Sequence, residues 1–379
     1  MILLVHGHHS QVKVASKKLV LDAVPAIHFA KLYLPIHSGL DLTSVAYGIP
    51  ECLIHVDATD STILIRSIRN RYLASIYYSY HLFFTILRLK PLIIYVYHSA
   101  IRYTSLLFLF RFLPGFKRIK FVLRVLGLNP RMLLHTEPSA NILGKMFYRG
   151  LYARPWDKII VTEDGSDKEI GRTIFQKSKV LFLFNGYNGA RRLVHNGWQG
   201  VEDVITLSFV GRLEPSKGLD IVINALNRLA HLDITLNIYG EGTEMAMWKN
   251  SVKSLPGSVK VIFHGFQDNL VVWEGVSRSD LYISANRIGN FSNSNIEAVF
   301  NSPICIFMEQ MHYNQVSSEI IPPGLFYKNN SDQDLARLIA CVSANKVEYY
   351  DYTQTLRSRL DSMISEWSSR IELEANIIG

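Results

Sequence analysis

Short apolar runs of strand length alternate with helix-length segments along this 379-residue chain, and the series starts twice. The first series holds the strand candidates Ile2–Val5, Cys52–Val56, Leu92–Tyr97, Met132–His135, Lys158–Thr162 and Val180–Phe184. A polar, Gly-rich bridge follows, NGYNGARRLVHNGWQGVED at 185–203. The second series runs through Ile205–Val210, Thr235–Tyr239, Val259–His264, Leu281–Ser284 and Ile304–Met308. Such alternation builds parallel sheets with helices on both faces. Two series joined by a bridge predict an α/β fold of two Rossmann-like domains, residues 1–188 and 204–350, with 189–203 as linker. A last helix candidate, about Asp351–Ile371, lies in segment 351–379 and could pack in either domain, back on the first included. Open parallel sheets bind ligands beyond the carboxyl ends of their strands. With the two domains facing each other, the expected site is the cleft between them.

Composition narrows the function classes. The chain is 48% hydrophobic and 19% charged, enough for large cores and unlike a disordered chain. Cys52, Cys305 and Cys341 form no CxxC pair, so neither a disulfide framework nor a zinc site is readable, which fits a reducing compartment. The opening MILLVHGHH has an apolar run too short for a secretory signal and reads as a buried strand. Net charge is +8, but residues 1–188 hold 24 Lys and Arg against 11 Asp and Glu, while the remainder holds 16 against 21. The basic half is expected to face something anionic, such as a membrane surface or a phospholipid-like acceptor. No helix-turn-helix, zinc-finger or RNP pattern supports nucleic acid. Residues 72–89 approach the length of a membrane span but carry His81, Arg88 and four tyrosines, and read as a core helix. Leu106–Val125 mixes Phe and Leu with five cations around Pro114-Gly115. It reads either as a lipid-interface stretch or as an ordinary helix–loop–strand.

Two segments of the second half carry chemistry. In FVGRLEPSKGLD, a strand ends at Gly211, and Arg212 and Lys217 stand on the turn before a helix. Cations there are either merely solvated or grip a phosphate at the helix N-terminus, Arg as a fork and Lys as a point charge. In DLYISANRIGNFSNSNIEAVFNSP (280–303), a buried strand runs into a loop of Gly289, Asn290, Ser292, Asn293 and Ser294, then into a helix bearing Glu297. A carboxylate in that place suits the two hydroxyls of a ribose. The Asn and Ser residues equally suit an N-cap.

These segments, with IYGEGTEM (238–245) and VIFHGFQDNL (261–270), resemble the donor-binding domain of retaining glycosyltransferases with the GT-B fold, in particular glycosyltransferase family 4, glycosyl transferases group 1. The likeness covers most of residues 204–310. It implies that Arg212 and Lys217 bind the nucleotide diphosphate, that Gly265, Phe266 and Gln267 touch the nucleobase, and that Glu297 holds the ribose. The family's first Glu of a Glu–seven residues–Glu pattern is replaced by Gly289, which leaves the donor sugar open. The usual Gly before the final Pro is also replaced, in Asn301-Ser302-Pro303. In the first half the resemblance is thinner. The loop HGHHS offers Gly7, His6, His8 and His9 near the donor phosphate. LLHTEPSANILGKM resembles a His-Glu-Pro segment in which His135, or else Glu137, lies near the transferred sugar. Thr162 and Glu163 stand where the family often has a Ser near the acceptor.

The resemblance implies a nucleotide-diphosphate sugar as donor, no metal and no cofactor, and a lipid-linked or polysaccharide acceptor in cell-surface glycan synthesis, such as lipopolysaccharide. The expected catalytic residues are His135, Arg212 and Lys217, and Gly7, His8, Glu137 and Thr162 form the acceptor side. The expected location is the cytoplasm, with peripheral attachment to the inner face of the plasma membrane. Two rival readings are a non-catalytic subunit of a glycan assembly complex, motivated by Gly289, and another enzyme on the same fold. No pair of carboxylates supports glycoside hydrolysis.

Overall fold

The structure, a computed structural model, describes residues 1–7, 25–49, 62–66, 71–127, 150–165, 175, 178–187, 204–310 and 315–379. The strand candidates Cys52–Val56 and Met132–His135, and the site candidates His8, His9, His135 and Glu137, lie outside these residues. By its internal contacts the chain forms two compact units. The first is Met1–Glu163, Lys168–Gly186 and Trp367–Gly379; the second is Asp164–Asp167 with Tyr187–Glu366.

The first unit is a seven-stranded parallel sheet: β1 (Ile2–Gly7), β2 (Leu42–Ile49), β3 (Thr62–Arg66), β4 (Ile93–Tyr97), β5 (Lys120–Val125), β6 (Lys158–Thr162) and β7 (Val180–Leu183). Their order is β3-β2-β1-β4-β5-β6-β7. β1 pairs with both β2 and β4, Ile2 standing opposite Leu42 on one side and Ile93 on the other, so the strand order reverses at β1. Period-2 alternation divides the core. Leu3, Val5, Ile94, Val96, Phe121 and Leu123 pack with Tyr78, Leu82 and Ile86 of α2 (Arg71–Leu89). Ile2, Leu4, Tyr95, Tyr97 and Val122 pack on the other face with Ala30 and Leu34 of α1 (Pro25–Ser38). Sequence reasoning missed β2 and β3, whose runs LTSVAYGI and TILIR mix apolar with Thr, Ser, Gly or Arg. It also missed β5 within Leu106–Val125. That stretch is a short 3-10 turn (Leu107–Phe112), a loop and a strand. α2 is the helix expected at 72–89, and no helix among the described residues is long and apolar enough to cross a membrane.

The second unit is a six-stranded parallel sheet: β8 (Val204–Val210), β9 (Asp233–Tyr239), β10 (Val259–Gly265), β11 (Leu281–Ser284), β12 (Ile304–Met308) and β13 (Phe326–Tyr327). Their order is β10-β9-β8-β11-β12-β13. The helices are α3 (Leu219–Asn227), α4 (Met245–Ser251), α5 (Asn269–Ser277), α6 (Asn293–Asn301), α7 (Gln315–Ile320), α8 (Asp332–Ala344) and α9 (Lys346–Asp361). β8 and β11 are neighbours at the point where the strand order turns, the place where open α/β sheets bind ligands. Asp280 locks the start of this pair. Its Oδ2 accepts from the Thr206 amide (2.6 Å) and hydroxyl (2.8 Å), and its Oδ1 pairs with Lys346 at 3.2 Å.

The single helix expected at Asp351–Ile371 is two. α9 buries Thr353, Leu356 and Leu360 in the second unit. After a break at 362–366, α10 (Trp367–Ile378) buries Trp367, Ile371, Ala375 and Ile378 in the first, against β4, β5 and α1. The two apolar stripes serve different cores, so no continuous helix could satisfy both. α10 is also held by charge. Glu374 Oε1 lies 3.0 Å from Arg124 Nε of β5 and 2.8 Å from Arg370 Nη2, and Oε2 accepts from the Tyr95 hydroxyl of β4 (2.5 Å). Arg124 and Glu374 are 0% and 1% exposed in their side chains. Burial opposes the ionised form of Glu374, but the two guanidiniums outweigh it and hold the carboxyl below its usual range.

Candidate functional site

The loop leaving β8 is built as a rigid shelf. The Gly211 amide donates to Tyr239 O (3.0 Å) and the Leu213 amide to Glu241 O (3.0 Å), so the shelf rests on the turn after β9. Pro215–Lys217 makes one 3-10 turn, and Gly218 then switches to φ +68° to start α3. A Cβ at Gly218 would stand 2.2 Å from Ala285 O, so only glycine lets the loops after β8 and β11 approach this closely. Lys217 folds back along Gly211, at ordinary contact distance from where a Cβ would stand there (3.6 Å). Burial, and secondarily the Arg212 cation, push its ammonium down to about 8. Arg212 is exposed, its Nη1 3.1 Å from Glu214 Oε1.

Arg287, which sequence reasoning passed over, braces the shelf from the β11 side. Its amide donates to Ser216 O (3.0 Å), its Nη1 donates to Pro215 O, and its Nη2 lies 2.6 Å from Asp220 Oδ2. On the β9 side the Gly240 amide donates to Gly265 O (2.8 Å), and the Phe266 amide donates to Glu241 Oε1 (3.2 Å). The 240–242 turn thus ties the loop of Arg212 and Lys217 to that of Gly265, Phe266 and Gln267. Phe266 and Gln267 are exposed, and Gln267 Nε2 donates to His264 O (2.8 Å).

The loop after β11 differs from the sequence expectation. Asn290 is buried, its Nδ2 donating to Met308 O (3.2 Å) while Gln310 Nε2 approaches its Oδ1 (3.4 Å), so the side chain is an internal tie rather than a surface donor. Ser292 is the N-cap of α6, accepting from the Asn295 amide, and Ser294 Oγ lies 3.2 Å from Ser292 Oγ. Asn293 starts the helix. The organiser is Asn295, also missed. It is 1% exposed, accepts from the Tyr282 hydroxyl (2.9 Å) and donates to Ser284 Oγ (2.8 Å) and Asn290 O (2.9 Å). A lone Asn in a run of Asn and Ser gives no sequence signal for that role. Glu297 sits half-buried one turn into α6.

Gly289 has φ +69°, and a Cβ there would stand 2.6 Å from Asp164 O, whose other partner is the Phe291 amide. Glycine at position 289, where the resemblance leads one to expect Glu, is therefore required by the local backbone. Gly289→Glu is expected to lower stability by about 1–3 kcal/mol, read as a lower urea midpoint with unchanged m-value.

In the first unit, Gly7 closes β1 opposite Tyr47 and His6 is buried. Thr162, expected on the acceptor side, is instead an internal tie. It is buried, its hydroxyl accepts from Arg124 Nη1 (2.9 Å) and it lies 3.2 Å from Asn185 Oδ1. Among the described residues no group of three or more His, Cys, Asp or Glu could hold a metal ion.

Residues 193–359 match the family model described as Glycosyl transferases group 1. Solved structures align over nearly the whole chain. Sucrose-phosphate synthase from Thermosynechococcus elongatus matches at TM-score 0.71 and 12% identity, over 99% of this chain and 97% of that one. WaaG, a glycosyltransferase involved in lipopolysaccharide biosynthesis, matches at 0.68 and 13%, over 100% and 99%. Anabaena HepE in complex with UDP-glucose matches at 0.66 and 13%, over 99% and 98%. No curated protein matches the chain in sequence. The class these findings define is the GT-B fold, two Rossmann-like α/β units, the second of which carries the group 1 match.

Proposed function

We propose that this chain is a retaining glycosyltransferase of family 4 that moves a sugar from a nucleotide-diphosphate donor to a lipid-linked or polysaccharide acceptor. The observation that carries the reading is the pairing of Arg212 and Lys217 on the β8 shelf with Glu297 on the helix after the neighbouring β11. A departing nucleotide diphosphate gains negative charge. Lys217, held along the shelf, and Arg212 beside it supply two cations that neutralise it, and they take the place a divalent metal would fill. Lys217 and Arg212 meet the phosphates, Glu297 the ribose, and Phe266 with Gln267 the base. In this mechanism the acceptor hydroxyl attacks on the face the leaving group departs from, and a donor phosphate oxygen takes its proton. HepE with UDP-glucose, and WaaG in lipopolysaccharide synthesis, support a nucleotide-sugar donor and a surface-glycan acceptor. We place the activity in the cytoplasm.

The test is a thermal melt against UDP, GDP, ADP and their sugars, with Arg212→Ala and Glu297→Ala alongside. One nucleotide should raise the melting temperature of the wild type and of neither variant. No shift with any nucleotide at saturation would favour the second reading, a non-catalytic subunit, which Gly289 in place of the family's Glu motivates. Arg287→Ala is expected to weaken nucleotide binding about tenfold by freeing the shelf, measured by calorimetry, while Arg287→Lys recovers only part because a point charge cannot span Pro215 O and Asp220.

A further inference from the structure

Beside the 3-10 turn of the shelf, α3, the start of α4 and the loop after β11 border an open depression of about 440 Å³ in the second unit. Arg212, Lys217 and Glu297 do not line it, so it lies outside the candidate donor site. Its walls mix apolar and charged side chains. Met247 and Ile288 are 46% and 44% exposed there, and Trp248 packs against the second core. Asp220, Glu244 and Arg287 supply the charge. Met247 and Trp248 follow Glu244 by three and four residues, which puts all three on one side of the first turn of α4.

Three atoms of this lining are buried without a hydrogen-bond partner among the described residues: Asp220 Oδ1, Glu244 Oε2 and Trp248 Nε1. Asp220 pairs through its other oxygen, 2.6 Å from Arg287 Nη2. Buried polar groups of folded proteins are nearly always paired, and three orphans around one depression point to a ligand that completes them.

The three atoms together fix the chemistry of that ligand. Two are carboxylate oxygens, which accept; the third is an indole N–H, which only donates. An ammonium ion donates and leaves the indole unmet. A phosphate accepts, and brings its charge against two carboxylates. A hydroxyl does both, and a sugar ring carries several at fixed spacing. The C–H faces of such a ring also suit Met247, Ile288 and the flat indole, and the volume is that of a small-molecule site. We propose that this depression binds a neutral saccharide unit, with hydroxyls donating to Asp220 Oδ1 and Glu244 Oε2 and a hydroxyl oxygen accepting from Trp248 Nε1. The three atoms are covered in the free chain, so binding turns these side chains outward. The inference does not rest on the donor reading.

The test is saturation-transfer NMR on the full chain with methyl α-glucoside, methyl α-galactoside and methyl α-mannoside. Wild type, Glu244→Gln, Trp248→Phe and Arg212→Ala are compared. At least one glycoside should bind the wild type, with a dissociation constant of about millimolar order. Glu244→Gln and Trp248→Phe should each weaken it about tenfold at a melting temperature near that of the wild type, since Gln keeps the shape and Phe keeps a ring on the core. Arg212→Ala should bind the glycoside like wild type, whether or not a nucleotide shifts the melting temperature, so this reading and the donor reading fail separately. No transfer to any of the glycosides overturns the proposal. So does binding that Glu244→Gln and Trp248→Phe leave unchanged, or that Arg212→Ala abolishes. Spermidine and inorganic phosphate are the rival probes: binding of either one in place of the glycosides, altered by Glu244→Gln or Trp248→Phe, also overturns it.

Discussion

Lys217→Ala is expected to lower kcat/KM for sugar transfer by roughly 10²–10³, with the wild-type melting temperature nearly kept. The side chain lies along Gly211, while the shelf itself is fixed by backbone bonds from Gly211 and Leu213 and by Arg287. A pH profile distinguishes loss of charge from loss of packing. In the free protein the ammonium titrates near 8, pushed down by burial and by Arg212. Donor affinity of the wild type should therefore be full below that value and fall as pH rises through it, since a neutral amine cannot balance a diphosphate. A bound diphosphate raises the same pKa, so binding above pH 8 should take up a proton, visible as a buffer-dependent heat in calorimetry. Lys217→Arg should lose this pH dependence, because a guanidinium stays charged throughout. A profile that is flat in the wild type would remove Lys217 from the phosphate site.

Glu374→Ala is expected to destabilise the first unit by about 3–5 kcal/mol, the cost of leaving Arg124 and Arg370 buried without their shared carboxylate. The loss should appear as a separate, earlier transition in urea, with residues of the second unit unaffected. Glu374→Gln tests the charge alone. The carboxyl is held below its usual range in the fold, so its contribution is complete above about pH 4.3 and disappears as pH falls through the folded value. The gap between wild type and Glu374→Gln should narrow in acid by that route. Replacing Arg124, Arg370 and Glu374 together with apolar residues should be far milder than the single change, as a buried charge cluster need not outperform a well-packed apolar one.

Although β13, only Phe326–Tyr327, was too short to read, the other five strands of the second unit were legible because each is an apolar run of four to seven residues set off by polar or Gly-bearing turns. β2, β3 and β5 were not. Their polar residues break the apolar run, and Arg124 in β5 reads as a surface cation until Glu374 comes to meet it. A pairing across that much chain leaves no trace in a single sequence. In the same way Asn290 and Thr162 carry the donor and acceptor groups expected of a ligand contact, but buried partners already use them. Residue type tells what a side chain can bond to, and only the fold tells what it has already bonded to. Arg287 and Asn295 show the converse: both organise the candidate site, and neither has a spacing that marks it.

The return of α10 to the first unit bears on how the molecule is made. β1 to β7 leave the ribosome early, yet the face of Ile2, Leu4, Tyr95 and Val122, partly covered by α1, is fully covered only when Trp367–Ile378 arrives. Synthesis of residues 187–366 intervenes, a delay of about 10–40 s at common translation rates. Throughout it Arg124 lacks its counter-charge and the part of the sheet face that α1 leaves to α10 stays open. The second unit can fold meanwhile, so the unit translated first completes its folding last, and a nascent-chain binder is expected to engage the half that, by position in the chain, looks finished.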